Sequence, residues 1–130
     1  MTVQEDLGRI QINEEVIATI GALAALEVDG IVSVSGVTSQ SRLWQKPPKK
    51  GITVTTDENN HDAVIDLDIV VEYGVDVYKT AHRVQRSVKD AIEGMTGMRV
   101  KAVNVKIDGI KQSDRTPDGD LLSERDEEEN

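Results

Sequence analysis

The chain is 130 residues long, has no cysteine and carries a net charge of −9. That length suits a single domain, the missing thiol excludes disulfides, thiolate metal sites and cysteine nucleophiles, and two histidines cannot build a His-rich metal cage alone. Apolar residues make up 38%, with 17 Val and 11 Ile against 7 Leu and only Trp44, Tyr73 and Tyr78 aromatic, a β-branched composition that suits a sheet packed on helices. Residues 9–12, RIQI, alternate as a short strand before Asn13, which is placed to cap a helix from about Glu14 to Leu26 with Glu14 and Glu15 in its first turn. Between Val16 and Leu26 only Thr19 is polar, so both sides of this helix read as buried. Val16, Ile17, Ile20, Leu23 and Ala24 form a bulky face expected to meet the sheet. Ala18, Gly21, Ala22 and Ala25 form a small-residue face that invites close approach by another helix, from this chain or from a second copy.

An Asp29-Gly30 turn ends the helix and leads into a strand at Ile31 to Ser35. GVTSQSRLWQKPPKKG then has loop composition, and Trp44 within it is either an anchor tucked onto the core or an exposed partner contact. Ile52 to Thr56 and Ala63 to Tyr73 flank a polar turn and read as a hairpin. In the second of these strands Ile65, Leu67, Ile69, Val71 and Tyr73 share one face and Asp66, Asp68 and Glu72 the other. Asp76 is placed to cap a second helix from about Val77 to Glu93, whose apolar positions Val77, Ala81, Val84, Val88, Ile92 and Met95 follow helical spacing. After Gly94 and Gly97, RVKAVNVKIDG alternates as a last strand. The fold class is therefore α+β: a mostly antiparallel sheet of about five strands with two helices packed on one face, in the order β-α-β-β-β-α-β, over residues 1–111. Residues 112–130 hold eight acidic and two basic residues and only two leucines, so they read as a disordered acidic tail.

Little in the sequence points to catalysis. No glycine-rich phosphate loop is present. Asp66 and Asp68 on one strand face read as solvation, and His61 has no assembled ligand partners, so no catalytic residue, metal or cofactor is expected. The constellation that stands out is Lys79, His82, Arg83, Arg86 and Lys89, five positions within about 120° of the second helix's circumference, opposite its apolar face. It is either a solvated face softened by Asp90 and Glu93 or a contact for an anionic partner. Nucleic acid is the alternative reading, disfavoured because no aromatic sits in the stripe and the overall charge repels phosphate. No apolar run reaches the roughly 20 residues that span a bilayer, and the first residues lack the basic and apolar regions of a signal peptide, so the expectation is a cytoplasmic protein without direct membrane insertion.

GRIQINEEVIATIGALAALEVDGIVSVSG and IDLDIVVEYGVDVYKTAHRVQRSVKDAIEGMTGMRVKAVNVKIDGI resemble the alkaline shock protein family, the envelope stress response family of Gram-positive bacteria, over about residues 8 to 110. The most specific pieces are the EVDGI segment with its following SG, the VVEYGV turn into the second helix and the MTG to VNV to IDGI ending. The resemblance implies a small non-enzymatic cytosolic protein linked to envelope or alkaline stress, self-associating as a homo-oligomer and in some members held at the membrane by a membrane-anchored partner. It brings no residue-level site with it.

Overall fold

The computed structural model describes residues 7–35, 37, 38, 52–57 and 61–112. The elements are α1 (Glu14–Leu26), β1 (Ile31–Val34), β2 (Val37–Thr38), β3 (Ile52–Asp57), β4 (Asp62–Glu72), α2 (Val77–Thr96) and β5 (Arg99–Lys111). Trp44 and the tail beyond Gln112 lie outside the described residues, and with them the readings made there.

β4 is the organising strand. Its odd-numbered residues Ala63, Ile65, Leu67, Ile69 and Val71 are buried, while Val64, Asp66, Asp68, Val70 and Glu72 are not, the alternation of a sheet covered on one face. β5 runs parallel along its whole length, from Asp62 opposite Arg99 to Glu72 opposite Lys111. The other edge is shared end to end: β3 pairs antiparallel with Asp62 to Leu67, and β1 with Ile69 to Val71. β2 adds an antiparallel pair to β1, so three of the four pairings are antiparallel. The parallel pair follows from α2, because parallel neighbours need a crossover and a helix supplies it.

Both helices lie on the same face and touch each other, α1 over β1 and β3 and α2 over β5. Asn13 caps α1 by accepting from the Glu15 N–H at 3.3 Å, and Asp76 caps α2 by accepting from the Lys79 N–H at 3.1 Å. Gly97, in the left-handed region at φ 75°, ends α2 as only glycine does without strain. Between helices and sheet sit Ile17, Val34, Ile65, Leu67, Ile69, Val71, Val84, Val88 and Ile92, all fully buried and each contributing about 1.5–3 kcal/mol of transfer free energy.

Four expectations change. Residues 9–12 form no strand: the segment pairs with no described strand and runs straight into the Asn13 cap, with Ile10 left 92% exposed. The order is therefore α-β-β-β-β-α-β, the two-residue β2 making up the fifth strand. On α1, Val16 and Leu23 are exposed rather than set against the sheet. The small residues Ala18, Gly21, Ala22 and Ala25 are buried within the monomer and are not open to a second copy. The reason is steric: α2 comes close enough that an added Cβ at Gly21 would stand 3.5 Å from Val88 Cγ1 and 3.6 Å from Ile92 Cδ1, room a bulky face could not have given. On α2 the buried stripe is Thr80, Val84, Val88 and Ile92, and Met95 is 72% exposed in the last turn.

Candidate interaction groove between the second helix and the last strand

The caps fix where α2 starts, and its contact with β5 fixes its rotation. With Thr80, Val84, Val88 and Ile92 turned inward, Lys79, His82, Arg83 and Arg86 are exposed and Lys89 is half-buried. The expected stripe thus exists as a surface feature. It is divided between two settings. Lys79 and Arg83 stand on the outer helix surface, whereas His82, Arg86 and Lys89 border a shallow groove of about 530 Å³ whose floor and far wall are Val100, Lys101, Ala102 and Val103 of β5.

Polar side chains of α2 hold the groove's geometry by taking backbone groups of β5. Gln85 Nε2 donates to the Val103 carbonyl at 3.0 Å, and the Val100 N–H donates to Glu93 Oε2 at 2.9 Å. His82 Nδ1 lies 3.0 Å from Gln85 Oε1, which ties the ring to the same anchor. Lys89 Nζ donates to Glu93 Oε2 at 2.9 Å, an ion pair one helical turn apart. The Val100 N–H first, and then Lys89, hold the Glu93 carboxyl below its ordinary value of 4.5. Glu93 is thereby occupied in joining helix to strand, and the cations Arg86 and Lys101 face the groove.

Lys101 was not foreseen as part of this surface. A strand lysine carries no periodic signal of its own, and only the α2 to β5 packing brings it beside the helix. It also lies 4.0 Å from Asp62, whose carboxylate is buried and takes both Arg99 Nε at 3.1 Å and Arg99 Nη2 at 3.3 Å, pinning the starts of β4 and β5 together. Asp66 accepts from Asn104 Nδ2 at 2.9 Å on the open sheet face, so it too serves strand pairing. His61 stands in the turn before β4, where its carbonyl accepts from the Arg99 N–H at 2.8 Å. Among the described residues no three potential ligands gather as a metal site, and no helix is long and apolar enough to cross a membrane.

A two-helix layer on an antiparallel-rich sheet, with a cationic face on the second helix, defines an α+β domain. The sequence matches the alkaline shock protein 23 family, described as having a cell envelope-related function, over residues 2–112, and the chain belongs to that family, as its motifs had indicated. Among its relatives are the uncharacterized protein YqhY of Bacillus subtilis, 32% identical over 81% of this chain and 78% of its own, and the uncharacterized protein Spy1535 of Streptococcus pyogenes, 29% identical over 95% of both. A Streptococcus pyogenes protein named stress response regulator gls24 homolog is 29% identical over 83% of this chain and 62% of its own. Among solved structures, the copper form of MamM CTD aligns with a TM-score of 0.46 at 18% identity, over 85% of this chain and 94% of that one.

Proposed function

We propose that the chain is a non-enzymatic, self-associating cytoplasmic adaptor of the cell envelope stress response, which docks to an acidic surface on a membrane-anchored protein partner. The family's cell envelope-related description supports the setting, and the stress-response name of one relative supports the occasion. The observation that carries the docking reading is one of charge. A chain of net charge −9 keeps Lys79, Arg83 and Arg86 exposed along α2 and sets Lys101 of β5 beside Arg86 in the groove. Local charge that opposes global charge steers a partner of the matching sign. The non-enzymatic part of the reading draws support from how polar groups are used: Asp62, Asp66, Gln85 and Glu93 are all engaged in holding strands or joining α2 to β5.

The test is Arg83→Glu with Arg86→Glu, compared with wild type by affinity capture from membrane and soluble fractions. The expected result is an unchanged melting temperature, since exposed charges contribute only about 0–1 kcal/mol each, with loss of the captured membrane partner. Wild-type capture should also weaken as salt rises. Equal capture by both proteins would reduce the stripe to a solvated face. A log-linear loss of RNA affinity with salt, with a slope of several counterions, would replace the reading with nucleic-acid binding.

A further inference from the structure

The excess negative charge of the chain and its open positive charge fall in different places. Residues 112–130, with eight acidic and two basic residues, carry −6 of the net −9, and five of those acids fall within residues 124–129, ERDEEE. Arg86 and Lys101 border the groove between α2 and β5. Among the described residues no carboxylate pairs with Arg86, which is exposed. Lys101, its side chain 57% exposed, has only the 4.0 Å approach to Asp62, a carboxylate that already takes two donors of Arg99. Lys89 differs, because Glu93 neutralises it at 2.9 Å. The backbone beside the groove is occupied as well: the Val100 N–H and the Val103 carbonyl are taken by Glu93 and Gln85. A strand added along this part of β5 would have to displace those side chains. A ligand here is therefore read through charge, by the five N–H donors of a guanidinium and the three of an ammonium, which suit carboxylates.

We propose that the acidic segment 124–129 of the same chain occupies this groove, its carboxylates set against Arg86 and Lys101. Reach permits it. Val103 precedes the end of β5 by eight residues, about 26 Å at about 3.3 Å per residue, whereas residues 124–129 follow Lys111 by 13–18 residues, a span of up to about 43–59 Å. Charge selects this segment, since it holds most of the acids of the tail and the groove holds the cations left without a close counter-charge. Tethering does the rest: a linker of this kind presents its ligand at an effective concentration on the order of mM, at which weak, exposed ion pairs suffice to fill a site. The proposal rests on the cationic groove of the proposed function and gives that groove its regulation, because an acidic partner gains the site only by displacing the segment. The measurement that tests it contains no partner, so its failure is distinguishable from a failure of partner docking.

Paramagnetic relaxation in the full chain is the test. The chain has no cysteine, so Ser123→Cys supplies a single thiol for a nitroxide label beside the acidic run. At low salt, about 0.05 M, the label should at least halve the amide signals of Arg86, Lys101 and Ala102. Those of Thr53 and Thr55, on the sheet face away from the helices, should be unchanged. The broadening should vanish at about 1 M salt, where screening acts within about 3 Å, and also when Glu127→Gln, Glu128→Gln and Glu129→Gln are added to the labelled chain. Arg86→Gln with Lys101→Gln, two exposed positions, should remove it equally. No broadening at low salt would overturn the proposal. Broadening that survives the Arg86 and Lys101 changes would place the segment elsewhere and overturn it too. In a mixture of isotope-labelled chain without nitroxide and nitroxide-labelled chain without isotope, no broadening is expected. Broadening there as strong as within one chain would assign the groove to the segment of a second copy and overturn the proposal.

Discussion

Glu93 shows how one side chain can join two elements. It accepts from the Val100 N–H on β5 and from Lys89 on its own helix, and these donors lower its pKa from the ordinary 4.5. A carboxylate whose folded pKa is depressed adds stability that is present in full above the unfolded value and is lost as pH falls through the folded one. Wild type should therefore melt above Glu93→Gln at neutral pH, and the gap should close as pH is lowered below 4.5. Thermal melts of the two proteins across that range check the prediction; a gap that is constant with pH would contradict it. The Lys89 to Glu93 spacing is visible in the sequence as an i,i+4 pair. The Val100 contact is not, because it depends on how α2 lies across β5. Lys101 escaped notice for the same reason: its place beside Arg86 comes from tertiary packing, not from any period along the chain.

At the scale of elements, periodicity was most informative where one face meets water. The alternation of β4 and the apolar spacing of α2 were legible because polar residues mark their outer sides; the observed faces differ at Tyr73 and Met95, both left exposed, and at Thr80, which joins the buried stripe. α1 has no polar side to orient it. Its two apolar faces were recognisable, but which one turns inward is decided by the close approach of α2, which selects alanines and Gly21 over Val16 and Leu23. RIQI has strand alternation but no pairing to any described strand, so pattern alone could not settle it. The α1 to α2 contact yields a direct prediction. Gly21→Ala adds a methyl at ordinary van der Waals distance from Val88 and Ile92 and should be neutral or stabilising by up to about 1 kcal/mol, because alanine is the better helix former. Gly21→Leu should overpack the same place and cost about 1–3 kcal/mol, measured by chemical denaturation. Equal stability of the two variants would mean that the helices stand further apart than described.

For the whole molecule, the structure separates two surfaces. The outer side of α1 leaves the aliphatic Val16 and Leu23 exposed, and the α2 to β5 groove carries the cations Arg86 and Lys101. The fold class and the family were legible in the sequence, as was the helical half of the groove; the strand half was not. The central claim is that α2 and β5 together form the docking surface. The most direct test is the affinity of the captured membrane partner for wild type and for Arg86→Glu with Lys101→Gln, the glutamine chosen so that no like charge is placed beside Asp62. The account predicts a loss of at least about tenfold at unchanged fold. Wild-type affinity in this variant would contradict it.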